Sequence, residues 1–407
     1  MNIKNQLDRI KDEEKRNAHV LHLTANESQM SETARMFLGS KLSERYYASV
    51  GSDSIADFDF LTMVGLKETT KLIIAAEEAA KEMLGASIVN LNCLSGIHAM
   101  MCAILSTTDP EDTVMTLDPI DGGHFATTGI LQHVGRKNLY AVFDKSKLDF
   151  DTEKTAKLFH SARAKALYID PMYYINPYNL RELRKALGEK AIIIYDASHT
   201  MGLIMGQTFQ NPLKEGANII CANTHKTLPG PHKGMIAFRD KQFGEKANAI
   251  VNACLSSAHT HHLIALATTI LELKEFGESY AHQVISNANC IGQAFSDLGY
   301  DMRRANTGRF SENHQVHIFI DDKGDRLNLY KKLVVNNIST NFIKPVGERL
   351  YMRLGTQEIT RRGMKEKEMK QIASFVDRIF RNDSIKEEIV AFNKQFPNIL
   401  YSFDKQV

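Results

Sequence analysis

Between residues 70 and 240, short apolar runs alternate with segments in which apolar residues recur every three or four positions. The short runs have the composition of buried β-strands and cover residues 88–91, 113–117, 139–143, 166–169, 191–195, 218–222 and 235–238. The intervening segments, such as 70–84 and 180–187, have the periodicity of amphipathic helices. This alternation predicts the α/β fold class, with a mostly parallel, seven-stranded sheet covered by helices.

The pattern changes after residue 258. A long helical stretch over 262–298 is followed by a strand-like run at 315–320, a further apolar segment at 327–335 and a helical region from 365 to about 392. Because a chain of 407 residues exceeds the roughly 250 to 300 at which one core stops growing, two domains are expected. We predict an N-terminal arm over 1–25, a large α/β domain over 26–280 and a small C-terminal α+β domain over 281–407.

Composition excludes several classes of partner. Fifty basic residues balance 48 acidic ones, so a net charge of +2 provides no general attraction to nucleic acid or anionic membranes. The first 16 residues are charged, and no run of about 18 apolar residues follows, so we expect a cytoplasmic protein without a membrane partner. The five cysteines lack a paired spacing and are expected to be reduced core thiols.

A histidine cluster is the one feature that suggests a metal. His259, His261 and His262 lie close together in the sequence, but no acidic or thiol ligand accompanies them at a usual spacing. We therefore predict no metal site.

An acid and a lysine at the ends of successive strands suggest chemistry. Asp196 follows the apolar run 191–195, and Lys226 follows the next run in a segment rich in proline and glycine. A pyridoxal phosphate site requires this pair, because the lysine forms an imine with the cofactor aldehyde and the carboxylate keeps the pyridine nitrogen protonated. The alternative for the spacing alone is that both residues are surface charges at strand ends.

Longer motifs around these residues resemble the serine hydroxymethyltransferase family. YDASHTMGLI at 195–204, NTHKTLPGPHKG at 223–234 and MRLGTQEITRRGM at 352–364 occur in the family's order and at similar spacing. LNCLSGIHA at 91–99 is similar to the family's phosphate-binding loop, and DGGHFATTG at 121–129 to the segment whose histidine stacks on the cofactor ring. The resemblance covers most of the chain and implies a fold-type-I transferase with pyridoxal 5'-phosphate as its cofactor.

The resemblance assigns roles to individual residues. Lys226 would be the imine lysine, Asp196 the partner of the pyridine nitrogen, and His124 the imidazole on the ring, although a buried loop histidine is the alternative for His124. Ser95 and Gly96 precede a predicted helix at 99–106, whose N-terminal N–H groups suit a phosphate; an N-cap role for Ser95 is compatible. The remaining implied cofactor contacts are Ile97, His199, Asn223 and His225.

The resemblance also implies a substrate site. Arg353 aligns with the family arginine that binds the substrate carboxylate, and a guanidinium suits this group because it donates two parallel hydrogen bonds. Tyr46 is shared with the family, and the resemblance implies that it is both a catalytic and a substrate-binding residue. Asn26 takes the place of a family serine near the carboxylate, and an N-cap role for the following helix is the alternative.

Departures from the family concentrate on the side that binds folate. The glutamate expected two positions after Tyr46 is replaced by Ala48, and a different segment at 50–65 stands where the family has an Arg-Tyr-Tyr-Gly-Gly run. Two leucines that pack on folate become Pro119 and Phe125. The loop before Arg353 is shorter and reads NFIKPVGERLYM.

Two further departures affect the phosphate. Ile97 replaces a second serine, and SSAHTHH at 256–262 replaces a glycine run that the partner subunit supplies in the family. His259 or Thr260 would then contact the phosphate across a homodimer with shared active sites.

These observations favour a pyridoxal phosphate enzyme that cleaves or forms the Cα–Cβ bond of a β-hydroxy amino acid without folate, with an aldehyde as a possible co-substrate. The alternatives are a folate-dependent serine hydroxymethyltransferase, other chemistry at Cα such as transamination, decarboxylation or racemisation, and a cofactor-binding regulator without catalytic activity.

Overall fold

A computed structural model describes residues 2–47, 55–58, 61–345 and 348–404. Its helices are α1 (Ile3–Asn17), α2 (Glu32–Arg35), α3 (Lys67–Leu84), α4 (Gly96–Thr107), α5 (Thr127–His133), α6 (Thr152–Ser161), α7 (Leu180–Leu187), α8 (Met201–Met205), α9 (Pro212–Glu215), α10 (Lys241–Ala253), α11 (Thr260–Asp297), α12 (Arg326–Val335), α13 (Gln357–Arg361), α14 (Glu366–Phe380) and α15 (Lys386–Asn393). Short 3₁₀ turns occupy Lys41–Glu44 and Pro119–Asp121.

The strands are β1 (Leu21–His22), β2 (Ile55–Phe58), β3 (Leu61–Val64), β4 (Ile88–Asn90), β5 (Thr113–Thr116), β6 (Lys137–Tyr140), β7 (Phe143–Asp144), β8 (Asp149–Phe150), β9 (Ala166–Ile169), β10 (Ile192–Asp196), β11 (Ile219–Asn223), β12 (Gly234–Phe238), β13 (Gln315–Phe319), β14 (Ile338–Ser339), β15 (Asn341–Ile343) and β16 (Tyr351–Gly355).

A seven-stranded sheet has the strand order β4-β12-β11-β10-β9-β5-β6. Its pairs are parallel except for those of β12, which runs antiparallel to both β11 and β4. The central strands β9, β10 and β11 are buried almost throughout, which explains their continuous apolar sequence: helices exclude water from both faces of a parallel sheet. The predicted α/β fold is therefore confirmed.

The chain divides into two compact units. One comprises residues 26–282 with 401–407 and contains the seven-stranded sheet; the other comprises residues 1–25 with 283–400. The second unit has a three-stranded antiparallel sheet of β13, β16 and β15. Residues 1–25 thus group with the C-terminal residues, and β1 pairs with β14 in parallel.

Several predicted boundaries shift, each for a local reason. The helix α4 begins three residues before the predicted 99, because the Ser95 side chain caps it at the His98 N–H and so starts the helix ahead of its buried residues. The strand β6 ends at Tyr140, and the predicted residues up to 143 instead lead into the β7–β8 hairpin. The last helical region is interrupted after α14, where Asn382 has a φ of +78°.

The cysteine prediction is partly wrong. Cys93, Cys102 and Cys221 are buried, whereas Cys254 is exposed and Cys290 is half-buried. Cys254 directly follows α10, whose buried face ends at Val251, so the thiol lies beyond the packed part of the helix. Among the described residues, no helix combines the length and apolar character needed to cross a membrane.

Candidate active site

A cavity of about 250 Å³ lies in the unit 26–282, where the parallel strands reach their carboxyl ends. Nine of the predicted site residues line it: Ser95, Gly96, Ile97, His124, Asp196, His199, Asn223, His225 and Lys226. They come from the last residues of β10 and β11 and from the segments that follow β4, β5, β10 and β11, so the sheet brings together residues that are up to 131 positions apart, from 95 to 226.

The N-terminus of α4 forms one wall. Ser95 has extended backbone angles, and its Oγ accepts a hydrogen bond from the His98 N–H at 3.1 Å. The N-terminal N–H groups of this 12-residue helix carry partial positive charge, which suits an anion. A Cβ on Gly96 would lie 3.1 Å from the backbone nitrogen of Asn223, so glycine lets the helix approach the end of β11 closely.

Asp196 is held by a donor on each carboxylate oxygen. The Tyr168 hydroxyl donates to Oδ2 at 2.8 Å, and the Ser198 N–H donates to Oδ1 at 2.8 Å. Tyr168 lies on the neighbouring strand β9 and is only 1% exposed. These hydrogen bonds satisfy both carboxylate oxygens and fix the direction of the group at the edge of the sheet.

The loop of Lys226 packs against the segment that follows Asp196. The Thr227 hydroxyl donates to the His199 carbonyl at 2.8 Å and accepts from the Gly202 N–H at 3.1 Å. A Cβ on Gly202 would lie 2.1 Å from the Thr227 carbonyl oxygen, so this approach requires glycine. With its amide oxygen toward Lys226, Asn223 accepts a hydrogen bond from Nζ at 3.2 Å.

Two histidines are kept neutral by their surroundings. Burial, followed by the charges of His232 and Lys226, lowers the pKa of His225 to about 3, and its ring stacks on His232 with centroids 3.8 Å apart. Burial also lowers the pKa of His124. The Nδ1 atom of His124 accepts from the Ala126 N–H at 3.3 Å, which leaves the ring proton of the neutral form on Nε2.

The predicted substrate residues do not line this cavity in the described part of the chain. Tyr46 is 60% exposed. The residue before it, Arg45, is held by Thr260, a predicted phosphate contact at the start of α11, whose hydroxyl donates to the Arg45 carbonyl at 2.8 Å. Asn26 does not cap the next helix, because Ser31 caps α2; that alternative is wrong. Ala48 lies outside the described residues.

Two predicted contacts have other surroundings. His259 has a φ of +54° and directly precedes α11. Arg353 belongs to the other compact unit, where it lies on β16 and is 7% exposed. Its Nη2 donates to the Asn341 amide oxygen at 2.8 Å. The roles of these residues remain predictions.

A group that could bind a metal was missed. The ligand atoms of Cys93, His98 and Cys102 lie within 4.8 Å of one another, directly behind the α4 N-terminus. However, Nδ1 of His98 already accepts from the Leu94 N–H at 3.0 Å, so the neutral ring carries its proton on Nε2. A hydrogen bond with Cys93 lowers the pKa of Cys102. Two hydrogen-bonded thiols explain this shift as well as a metal site would.

Sequence reasoning also missed Tyr168, Thr127 and Asp170, which line the same cavity. A signal for Asp170 was present, because a carboxylate follows the run 166–169 just as Asp196 follows the run 191–195. What the sequence lacks is the pairing of Ile169 with Tyr195, which places the two carboxylates side by side.

A lysine, a hydrogen-bonded carboxylate and a helix N-terminus around one cavity define the site of a fold-type-I pyridoxal phosphate enzyme. The chain belongs to the serine hydroxymethyltransferase family, whose model matches residues 2–376. It is 32% identical to a serine hydroxymethyltransferase of Methanocella arvoryzae over 404 residues, which covers 95% of this chain and 93% of that protein.

Two transaldolases are also similar. The chain is 36% identical over 371 residues to the fluorothreonine transaldolase of Streptantibioticus cattleyicolor; the match covers 90% of this chain but only 58% of that longer protein. The crystal structure of L-threonine transaldolase from Pseudomonas fluorescens in its internal aldimine state superposes with a TM-score of 0.89 at 28% identity, covering 100% of this chain and 96% of that one. The protein is therefore a pyridoxal phosphate-dependent transferase.

The residues of the cavity fit this cofactor. Lys226 could provide the amine, Asp196 a carboxylate for the pyridine nitrogen and α4 an anion site, while the buried Nδ1 of His225 has no hydrogen-bond partner among the described residues. An amine, a carboxylate and an anion-binding helix end are the three groups that a phosphorylated pyridine aldehyde requires.

Proposed function

We propose that this enzyme transfers the amino-acid part of a β-hydroxy amino acid from one aldehyde to another, breaking and forming the Cα–Cβ bond without folate. The observation that carries the proposal is a contrast within one chain. Lys226, Asp196 and His124 line one cavity, whereas the position of the family's folate-site glutamate holds Ala48. The similarity to two transaldolases supports it.

The surface that replaces the two folate-packing leucines also differs in shape. Pro119 begins a 3₁₀ turn, and its carbonyl accepts from the Tyr173 hydroxyl at 2.8 Å. Phe125 is 74% exposed, and its ring stacks on His124 with centroids 4.7 Å apart. A rigid proline and a flat ring do not reproduce the surface of two leucines, which supports loss of folate binding.

Bound pyridoxal phosphate supplies a ring that withdraws electrons from the Cα of an attached amino acid. In the proposed mechanism Lys226 would hold the cofactor through its aldehyde carbon and release it to the substrate amine. Asp196 would hold a proton at the pyridine nitrogen, the N-terminus of α4 would bind the phosphate, and His124 would contact the ring.

The substrate contributes the bonds that change. When Cα–Cβ breaks, the β-carbon leaves as an aldehyde, the hydroxyl loses its proton and the electron pair remains at Cα. The same pair then attacks the carbonyl carbon of a second aldehyde, whose oxygen takes up a proton. We assign Arg353 to the substrate carboxylate, with Tyr46 and Asn26 as further substrate contacts.

The deciding experiment measures threonine and serine cleavage, with and without tetrahydrofolate, and transfer to an added aldehyde. We expect threonine turnover to need no folate and to increase with the added aldehyde, and glycine to exchange its α-proton without folate. A large stimulation of serine cleavage by tetrahydrofolate would instead establish the second candidate, a serine hydroxymethyltransferase, which the 32% identity to such an enzyme favours.

We also propose a cytoplasmic homodimer in which His259 and Thr260 contact the phosphate of the partner subunit's site. The free thiols of all five cysteines support a reducing compartment. Mixed dimers test the shared site: if the contact crosses subunits, combining Lys226→Ala chains with Thr260→Ala chains should leave one site with both native residues. Activity of the mixture no greater than that of the separate variants would contradict it.

A further inference from the structure

A second carboxylate lies beside Asp196 and has no role in the mechanism above. Asp170 directly follows β9, and because Ile169 pairs with Tyr195, it stands next to Asp196 at the edge of the sheet. Asp170 is 3% exposed and lines the cavity. A carboxylate this deeply buried is costly unless it is neutral or well paired, so its contacts decide its role.

Both hydrogen bonds that Asp170 accepts come from the segment of His124. The Thr127 hydroxyl donates to Oδ2 at 2.5 Å, and the backbone N–H of His124 donates to the same oxygen at 3.2 Å. The other oxygen, Oδ1, is buried without a hydrogen-bond partner among the described residues. One oxygen therefore accepts both hydrogen bonds, and Oδ1 has no donor that would stabilise a negative charge on it.

The surroundings of Asp170 favour the neutral form on balance. Burial is the main cause and raises the pKa of Asp170 well above its usual range; the hydrogen bonds from Thr127 and His124 oppose this rise, and the negative charge of Asp196 adds to it. The hydroxyls of Thr127 and Tyr168 are neutral, and no cation contacts Asp170 in the described structure. Asp196, by contrast, accepts one hydrogen bond on each oxygen.

We propose that Asp170 is the positioning residue that sets His124 against the cofactor ring, a role that needs its hydrogen bonds and not a charge. It acts through the His124 N–H and the Thr127 hydroxyl at the start of α5. This inference rests on the proposed place of His124 at the ring. It does not depend on which amino acid or aldehyde reacts.

The backbone of the same segment is also held independently of the carboxyl group. The Met172 N–H donates to the Gly122 carbonyl at 2.8 Å, and Gly123 forms a β-bridge with Pro171. Truncating Asp170 should therefore leave the fold intact while loosening the last residues of the segment, from His124 to Thr127.

The test compares four variants with bound pyridoxal phosphate: Asp170→Ala, Asp170→Asn, Thr127→Val and Thr127→Ser. The asparagine and serine variants are the matched controls, because each keeps the shape and the hydrogen bonds of a neutral partner. The main readout is the visible circular dichroism of the bound cofactor, which reports how the ring is held. The cofactor Kd and the kcat and KM of threonine cleavage are measured in parallel, and urea unfolding monitors the fold.

We expect Asp170→Ala to lose much of the visible dichroism and to lower kcat by about tenfold, as the loss of two neutral hydrogen bonds suggests. Thr127→Val should show a smaller change of the same kind. Asp170→Asn and Thr127→Ser should stay within about threefold of the wild type. If Asp170→Asn behaved like Asp170→Ala, the charge would be essential and the proposal would be wrong; an unchanged dichroism in Asp170→Ala would overturn it equally.

A double-mutant cycle with His124→Ala tests the route of action. If Asp170 acts through His124, Asp170→Ala should add little to the dichroism change of His124→Ala, whereas independent effects would add. Additive effects would refute the positioning role. If the transaldolase proposal fails, only the turnover data are affected. The visible circular dichroism and the double-mutant cycle can still be interpreted. If Asp170→Ala did not fold, Thr127→Val and its serine control would decide the question by the same readouts.

Discussion

Replacing Asp196 by Asn tests the role of the carboxylate, because it removes the charge and keeps the shape. The asparagine oxygen can still accept from the Ser198 N–H, and its NH₂ group can donate to the Tyr168 hydroxyl, so both positions that the carboxylate uses at 2.8 Å stay occupied. We therefore expect folding and cofactor binding to change little, while stabilisation of charge at Cα is lost.

The magnitude follows from the surroundings of Asp196. Its neighbours Tyr168, Ser198 and His199 are 1%, 9% and 4% exposed, so water compensates poorly for the missing charge. Removing one partner of a buried charge pair costs about 3–5 kcal/mol, and at about 1.4 kcal/mol per tenfold a loss near 4 kcal/mol is about a thousandfold in rate. Tyr168→Phe keeps the charge and removes only one donor, worth at most about 1.5–3 kcal/mol. Its loss should therefore be clearly smaller.

The assay is exchange of the glycine α-proton in deuterated water, followed by NMR, because it requires only carbanion formation. Cofactor retention, measured by absorbance, and urea unfolding serve as controls for both variants. The expected order of exchange rates is wild type, then Tyr168→Phe, then Asp196→Asn. Equal exchange in the wild type and Asp196→Asn would show that the carboxylate does not support carbanion formation, and a larger loss in Tyr168→Phe would refute the reasoning from charge.

Borohydride reduction should attach the cofactor covalently to Lys226, and an adduct found on another lysine by mass spectrometry would contradict the site. In Lys226→Ala the multiple-turnover rate should fall by orders of magnitude. Gly202→Ala should lower the free energy of unfolding by about 1–3 kcal/mol, because its Cβ would lie 2.1 Å from the Thr227 carbonyl oxygen. The control Gly129→Ala, whose Cβ would have nothing within 4 Å, should not lower it. Equal urea midpoints for the two variants would argue against a forced close approach at Gly202. Because the pKa of His225 falls from 6.5 to about 3 on folding, the unfolded chain binds the extra proton between these values, and apoprotein stability should fall with decreasing pH by up to about 1.4 kcal/mol per unit. His225→Asn should flatten that slope in urea unfolding, and an unchanged slope would exclude His225 as its source.

Local sequence signals located the central residues of the cavity for a physical reason. Asp196 and Lys226 follow strands that are buried on both faces, and such strands appear as continuous apolar runs whose ends can be recognised in one dimension. The boundaries were less accurate where a cap or a turn overrides periodicity, as at Ser95, which starts α4 three residues before its apolar face.

Residues whose role depends on pairing between strands could not be found in this way. Tyr168 is apolar enough to pass as part of a buried strand, and only its place on β9 beside β10 shows that its hydroxyl reaches Asp196. Asp170 follows a recognisable apolar run, but its position beside Asp196 depends on the same pairing of β9 with β10. The places of Tyr46 and Arg353 depend on parts of the molecule beyond the seven-stranded sheet, so strand-end reasoning does not reach them.

The two neighbouring carboxylates give the cavity a defined charge. Asp196 accepts a donor on each oxygen, whereas Asp170 receives its two donors on one oxygen and is buried beside Asp196. Two negative charges at adjacent strand ends would repel, and environments that separate their protonation avoid this cost. One anion then remains to meet one protonated pyridine nitrogen. Asp170 then holds the segment of His124 through its two hydrogen bonds. The pairing of β9 with β10 therefore determines both the charge of the site and the position of His124.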